Sequence, residues 1–298
     1  MSDGLKAMAS DKVKQILGKS SDNIFIGVLT GTIVTAVLDS SSAVIIMIIA
    51  MVNAGIMTSK QSYGIIVGSN IGTTLSSQLI AFDIGEFAAV PLVIGLIFIM
   101  AGKNQKYRDI GKSILGFGLI FFGLYYIGHS VEPLKKLAAF EALMSKIENP
   151  FKGATVGAIA TVIIQSSSAT IGIVISFANQ GLITLAASVG VMLGAEIGTC
   201  TDTLFATIGR SRAALRAGVF HLFFSIVTAV IALILIQPFI ALVNLVSGDS
   251  SLARHIANSH VLFNILAAAL FIGFVPLIAR TLIKLIPNKG KSKNVAVE

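Results

Sequence analysis

The 298-residue chain reads as an all-α integral membrane protein: two inverted-topology repeats, each with a re-entrant helical hairpin, a broken helix and two plain transmembrane helices. Three observations point there. The composition is 55% hydrophobic and only 12% charged, about half the ~25% charge of ordinary soluble domains. Apolar windows near the ~20 residues that cross the hydrocarbon recur along it. Residues 23–73 also align without a gap on residues 149–199, at a constant offset of 126. That register pairs Gly27 with Gly153, Gly31 with Gly157, Thr35 with Thr161 and Ser40-Ser41-Ser42-Ala43 with Ser166-Ser167-Ser168-Ala169. It continues through Asn53/Asn179, Gly55/Gly181, Gly68/Gly194 and Ile71-Gly72-Thr73/Ile197-Gly198-Thr199. The third observation is where Lys and Arg fall.

Residues 1–22 are Lys-rich and amphipathic without the apolar core of a signal peptide, which predicts a cytoplasmic surface helix. The first repeat covers 23–131. Within it, 23–53 predicts a hairpin whose arms meet at the Ser triplet. A helix over 59–82 is expected to break near Gly68–Gly72, and 87–102 and 111–128 read as plain spans. An amphipathic linker, 132–148, leads into the second repeat, 149–286. That repeat predicts a hairpin at 149–179, a broken helix at 184–207 and spans at 213–236 and 260–283, followed by a basic tail at 287–298. Hairpin arms of about 15 residues are short of a full crossing, so each hairpin should return to its own side. Three crossings per repeat is an odd number, and an odd number inverts the second copy.

The charges agree with that topology. With both termini inside, the cytoplasmic segments hold 17 of the 22 basic residues, including Lys60, Arg108, Arg210, Arg212, Arg216 and Arg280. The outer side keeps Lys135, Lys136, Lys146, Lys152 and Arg254, with Asp83 and Glu86 in a short outer loop. This is the positive-inside bias of a multi-pass protein of the cell membrane. The net charge of +8 then reports orientation, not nucleic-acid binding. One cysteine, Cys200, excludes an internal disulfide. No Ser/His/Asp arrangement, metal cluster or Walker-type motif supports an enzyme. His221 and His260, inside apolar spans, suit helix-packing hydrogen bonds, and His129 suits the interface. The glycines of 111–128 suggest close helix contact.

Polar hydroxyls at a hairpin tip inside apolar sequence carry chemistry. Interrupted backbone at mid-membrane survives only where protein or a wet cavity satisfies it. A helix that starts there presents free N–H groups and a positive dipole end, which attract an anion. Three hydroxyls add donors, and their oxygens can also ligate a hard cation. Ser/Thr clusters also serve plain helix packing, but two triplets at equivalent positions weigh against that reading.

The segments Gln165-Ser166-Ser167-Ser168 and its partner at 39–42 resemble the type II sodium/phosphate cotransporters. So do Gly68-Ser69-Asn70-Ile71-Gly72-Thr73-Thr74 and Gly194-Ala195-Glu196-Ile197-Gly198-Thr199-Cys200. The stretches His221-Leu222-Phe223-Phe224 and His260-Val261-Leu262-Phe263-Asn264 are similar to a His/Phe/Asn signature of the same family. The resemblance runs from about 23 to 283. It implies sodium-driven transport of inorganic phosphate, with sodium as the coupling ion and no cofactor. It places Ser40, Ser41, Ser42, Ser166, Ser167 and Ser168 on the phosphate. It places Gln165, Thr73 and Thr199 on the sodium, and Asp39, Asn70, Glu196, Thr201 and Asp202 join them as cation candidates from this chain's own residues, with sodium the only metal. The implied partners are phosphate, sodium ions and the lipid bilayer, with a homodimer as the candidate assembly and no nucleic acid.

Three positions depart from the family pattern. Asp39 stands where a Gln is expected, Glu196 where an uncharged residue is, and Asp202 where a hydroxyl is. Ionisable groups within membrane segments are costly and are functional by default. For Glu196 and Asp202 the competing reading is a place at the interface or a pair with Arg210 or Arg212. A carboxylate beside a phosphate repels it unless a cation intervenes or the acid is protonated, so Asp39 is expected to hold the coupled cation. A proton-coupled carrier, a carrier of another small oxyanion such as arsenate, and an anion channel remain alternatives.

Overall fold

The computed structural model describes residues 23–82, 87–131, 133 and 136–288. The surface helix expected over 1–22, the outer loop with Asp83 and Glu86, Lys135, and the basic tail from Lys289 onward lie outside the described residues. Every regular element described is a helix. The first repeat gives α1 (Ile24–Leu38), α2 (Ser41–Asn53), α3 (Ser59–Ile80), α4 (Ala89–Ala101) and α5 (Gln105–Val131). After the short α6 (Ala138–Ile147), the second gives α7 (Pro150–Ile164), α8 (Ser167–Asn179), α9 (Leu185–Gly198), α10 (Cys200–Phe205), α11 (Arg212–Ile234), α12 (Ile236–Ser247), α13 (Leu252–Ile272) and α14 (Val275–Leu285). Among these, α5, α11 and α13 are long and apolar enough to cross a membrane.

Two expectations are corrected. The helix over 59–82 does not break at Gly68–Gly72. It runs unbroken as α3, started by a capping box in which Thr58 and Gln61 satisfy each other's backbone N–H groups. Its counterpart does break, at Thr199 between α9 and α10. The span expected at 213–236 is α11, which ends at Leu235 and is followed by α12, whereas the span expected at 260–283 begins earlier, at Leu252, and divides at Gly273–Phe274 into α13 and α14.

What Gly68 and Gly72 do instead is let two helices touch backbone to backbone. A Cβ at Gly31 would collide with the Ile65 carbonyl, and one at Gly68 with the Val28 carbonyl. The second repeat repeats the arrangement: Gly157 against the Val191 carbonyl, Gly194 against that of Ala154. Small residues at such crossings maximise van der Waals contact where lipid offers no hydrophobic drive. The opposite faces of α1 and α7 carry Phe25, Ile33 and Val37, and Phe151, Ile159 and Ile163, all exposed. Each short helix is thus glycine on one face and apolar on the other. The glycines of α4 and α5 act the same way, with Gly95, Gly111 and Gly118 at their mutual crossing.

Chain direction follows from these contacts. The pairs Gly27–Gly64, Val28–Gly68 and Thr32–Gly72 advance together, so α1 runs parallel to α3, and α2 returns to end just before Thr58. At that same end the Asn53 side chain accepts the Ser211 N–H at 2.8 Å. Arg216 is buried there too, donating to Ser59 Oγ and the Ile286 carbonyl. α3 then runs to the opposite end, where Arg254 stacks over Phe82 and donates to Gln78 Oε1 at 2.7 Å. α9 and α10, which lead into Ser211, run the other way. α11 and α13 serve both halves: Ala217, Phe220, Ala267 and Phe271 pack under the first hairpin, while Ala229, Leu233, Ile256 and Phe263 pack under the second.

Candidate functional site

Each hairpin tip is made by one residue driven out of helical geometry. Asp39 closes α1 at φ 52°, ψ 37°, and Gln165 closes α7 at φ 59°, ψ 30°. They are the two non-glycine residues of positive φ among the described residues. The left-handed conformation costs an L-residue ~1–2 kcal/mol, less for Asp, whose short side chain finds local partners. Strain of this kind persists where surrounding structure fixes it, and it clusters at binding sites. The following serine is extended in both copies. Ser40 Oγ accepts the Ala43 N–H and Ser166 Oγ the Ala169 N–H, each at 3.2 Å, capping α2 and α8.

The duplication therefore delivers two helix N-termini to one place. A cavity of about 40 Å³ is lined by Asp39, Ser40, Ser41 and Ser42 from one tip and Gln165, Ser166, Ser167 and Ser168 from the other. Thr73 and Thr199, equivalent in the two repeats, complete it. Ser41, Ser167, Thr73 and Thr199 are buried. The two threonine hydroxyls donate to the carbonyls of Ser69 and Ala195, leaving their oxygens' remaining lone pairs free to accept. Each N-terminus carries roughly half a positive charge. With the serine hydroxyls, the cavity offers donors for an oxyanion beside oxygens suited to a hard cation.

Of the other candidates, Asp202 lies against the Ser42 hydroxyl at the edge of this cluster, and Thr201 is half-buried beside it without lining the cavity. Asn70 is buried along α3, again off the cavity. Glu196 is elsewhere: its carboxylate meets His260 Nε2 at 3.0 Å, and His260 Nδ1 meets Ser77 Oγ at 2.6 Å, all three buried. His260 is its partner, in place of the Arg210 or Arg212 weighed from sequence. His221 Nδ1 meets Thr203 Oγ1 at 2.9 Å, and exposed His129 meets the Tyr125 carbonyl. Sequence reasoning missed Ser76, whose hydroxyl donates to the Asp39 carboxylate. Carrying the 126-residue register three positions past Thr73 would have found it, because Ser76 then pairs with Asp202.

Comparison with known proteins bears on the family. The chain matches the family described as Na+/Pi-cotransporter over residues 1–129 and 131–273. It is 32% identical to the protein YqeW of Bacillus subtilis over 287 residues, covering 96% of this chain and 92% of that one. It is 24% identical over 280 residues to YjbB of Escherichia coli K12, a protein named for inorganic phosphate export, covering 93% of this chain and 51% of YjbB. A shorter stretch of 106 residues is 32% identical to the human sodium-dependent phosphate transport protein 2B, covering 34% of this chain and 15% of that one. The chain thus spans nearly all of YqeW but about half of YjbB. No solved structure matches. The chain belongs to the Na+/Pi-cotransporter family, a family of phosphate transporters.

Proposed function

We propose that this protein is a secondary carrier that binds inorganic phosphate between the two Ser-triplet tips and couples its movement to sodium. The observation that carries this reading is the convergence of two capped helix N-termini, one from each repeat, on a single cavity. Phosphate takes the N-termini and the hydroxyls of Ser40–Ser42 and Ser166–Ser168. Sodium takes the oxygens around them: Asp39, Thr73, Gln165, Thr199 and Asp202. A cation next to Asp39 removes the repulsion that a bare carboxylate would exert on phosphate.

The repeats act as inverted copies in the membrane, each hairpin entering and leaving on its own side. The opposite directions of α3 and α9–α10 support this, as does the placement of Asn53 beside Ser211. Arg210, Arg212 and Arg216 mark the end of the molecule that faces the cytoplasm, by the positive-inside rule. Symport into the cell is the reading for a sodium gradient directed inward. YjbB is named for export, and in a reversible carrier direction follows the gradients. A proton as the coupling ion has one observation in its favour, the buried Glu196–His260 pair.

The test is uptake of radiolabelled phosphate into proteoliposomes of the purified protein, at fixed pH, with and without an imposed sodium gradient. Accumulation above equilibrium only with sodium is the expected result. Accumulation driven by a pH gradient alone would replace sodium by a proton, and equilibration under every gradient would mean a channel.

A further inference from the structure

Two larger cavities lie in line between the site and the C-termini of α5 and α8. One, of about 380 Å³, reaches Asp39, Ser76, Ser166 and Ser168. The other, of about 300 Å³, is lined at its far end by Tyr125, His129, Ser176, Asn179 and Gln180. Both have Ile80, Phe121, Leu124 and Gly172 in their walls, so these four residues form the partition between them. The far end lies at the C-termini of α5 and α8, remote from the Asn53–Ser211 end. α8 ends just before Thr184, and α9–α10 then runs ~30 Å back to Ser211.

We propose that the substrate oxyanion reaches the tips through this gap between α5 and α8, and that Gly172 with the apolar side chains facing it is the gate. This rests on the phosphate-carrier reading above. The outer chamber is polar, as a hydrated anion requires. The inner one is mostly apolar until Asp39 and the serines, and a narrow apolar collar closes a path by excluding water. Gly172 is the narrow point because a Cβ there would press on Leu124 and Ile80, at 3.2 and 3.3 Å. The repeat register makes the glycine informative. Its counterpart in the first hairpin is Ile46, half-buried. The duplication kept the tips alike and left one of the two hairpins, α8, without a side chain at this level. α5 closes the other wall, held to α8 by the Ser176 hydroxyl donating to the Leu124 carbonyl at 2.9 Å.

Because Cys200 is the sole cysteine and is buried, the path can be probed with single thiols on a Cys200→Ala background. Gly172→Cys, Ser176→Cys and Asn179→Cys would be compared with Ile159→Cys, on the exposed apolar face of α7. The probe is a charged, membrane-impermeant methanethiosulfonate added outside sealed, right-side-out vesicles, with modification and phosphate flux both read. The expected result is modification at 176 and 179 at least tenfold faster than at 159. Modification at 172 should be slower, and modification at any of the three should block flux. A large-to-small Leu124→Ala change should raise the rate at 172. Rates at 172 and 176 no higher than at 159 would overturn the proposal, as would an apolar maleimide outpacing the charged reagent there, since the gap would then hold lipid. Full modification with unchanged flux would place the route elsewhere. Vesicles of the unmodified protein that never move phosphate would instead sink the carrier reading, with the labelling still reporting on the gap.

Discussion

Ser76 donates a hydrogen bond to the carboxylate of Asp39, and the repeat register sets the pair Asp39/Ser76 against Gln165/Asp202. Each repeat thus holds one acid in this pair of positions, but on opposite elements. In the first copy it sits on the tip, in the second on the helix that packs behind it. The second acid is placed to reach the first tip, since Asp202 lies against Ser42. Two carboxylates therefore flank the same hairpin, one within it and one across from it. Ionisable groups held inside a membrane segment act on ions or pair with one another, and among the described residues no Lys or Arg side chain bonds either carboxylate.

If the acids hold the coupled cation, Asp39→Asn should lower the apparent sodium affinity of phosphate transport at least about tenfold, or ~1.4 kcal/mol, with protein amount unchanged. Asp202→Asn should act in the same direction. The exchange has a sharper test. Asp39→Gln combined with Ser76→Asp writes the second repeat's pair into the first, and should recover sodium dependence that Asp39→Gln alone loses. Sodium titrations of uptake in proteoliposomes decide it; an Asp39→Asn protein with unaltered sodium dependence would remove Asp39 from the cation site.

The backbone crossings should be unforgiving. Gly31→Ala and Gly157→Ala each drive a methyl into a carbonyl of the facing helix, and overpacking of this kind costs ~1–3 kcal/mol or more. Both should lower the midpoint of thermal unfolding in detergent, whereas Gly123→Ala, with open space around it, should hold or raise it. Equal midpoints for all three would mean that the crossings relax freely.

The hairpins and their meeting point were legible because a polar triplet inside apolar sequence is conspicuous and occurs twice in register. The unbroken α3 was not. Gly68 and Gly72 carry the same letter whether a helix ends there or another backbone comes close, and only the carbonyls of Val28 and Thr32 decide which. The breaks at Leu235 and Gly273 hide in continuous apolar runs, since hydropathy marks length but not where a run bends. The Glu196–His260–Ser77 chain joins residues on three helices with no local pattern to announce it. Asp39–Ser76 was within reach of the register, but only past the point where the identities stop.

One departure from symmetry leaves an unpaired group. Thr161 Oγ1 donates to Thr170 Oγ1 at 2.9 Å under the second tip. Under the first, the equivalent of Thr170 is Val44, and the buried Thr35 hydroxyl has no partner. Val44→Thr supplies the missing hydroxyl at nearly constant volume and should stabilise the protein by about 0.5–1.5 kcal/mol, the net value of one hydrogen bond. A rise in the unfolding midpoint that disappears in Thr35→Val/Val44→Thr would assign the gain to that bond. A rise in both would point to packing.

The Glu196–His260 pair makes the last prediction, because its two halves are unequal when removed. Breaking a buried pair leaves an uncompensated group and costs ~3–5 kcal/mol, while replacing both partners costs far less. His260→Ala strands the Glu196 carboxylate and the Ser77 hydroxyl together and should be the most damaging change at this spot. Adding Glu196→Gln to it should restore part of the lost stability. The fourth corner, Glu196→Gln alone, keeps a neutral acceptor for an imidazole N–H and should be the mildest. A coupling of ~0.5–3 kcal/mol from the full cycle, read by thermal unfolding in detergent, is the range for groups in contact. Phosphate transport measured on the same four proteins then separates structure from coupling. If Glu196→Gln folds as well as the parent but loses its dependence on an imposed pH gradient, the pair carries a proton. If transport tracks stability across all four, it is a brace between α9, α13 and α3.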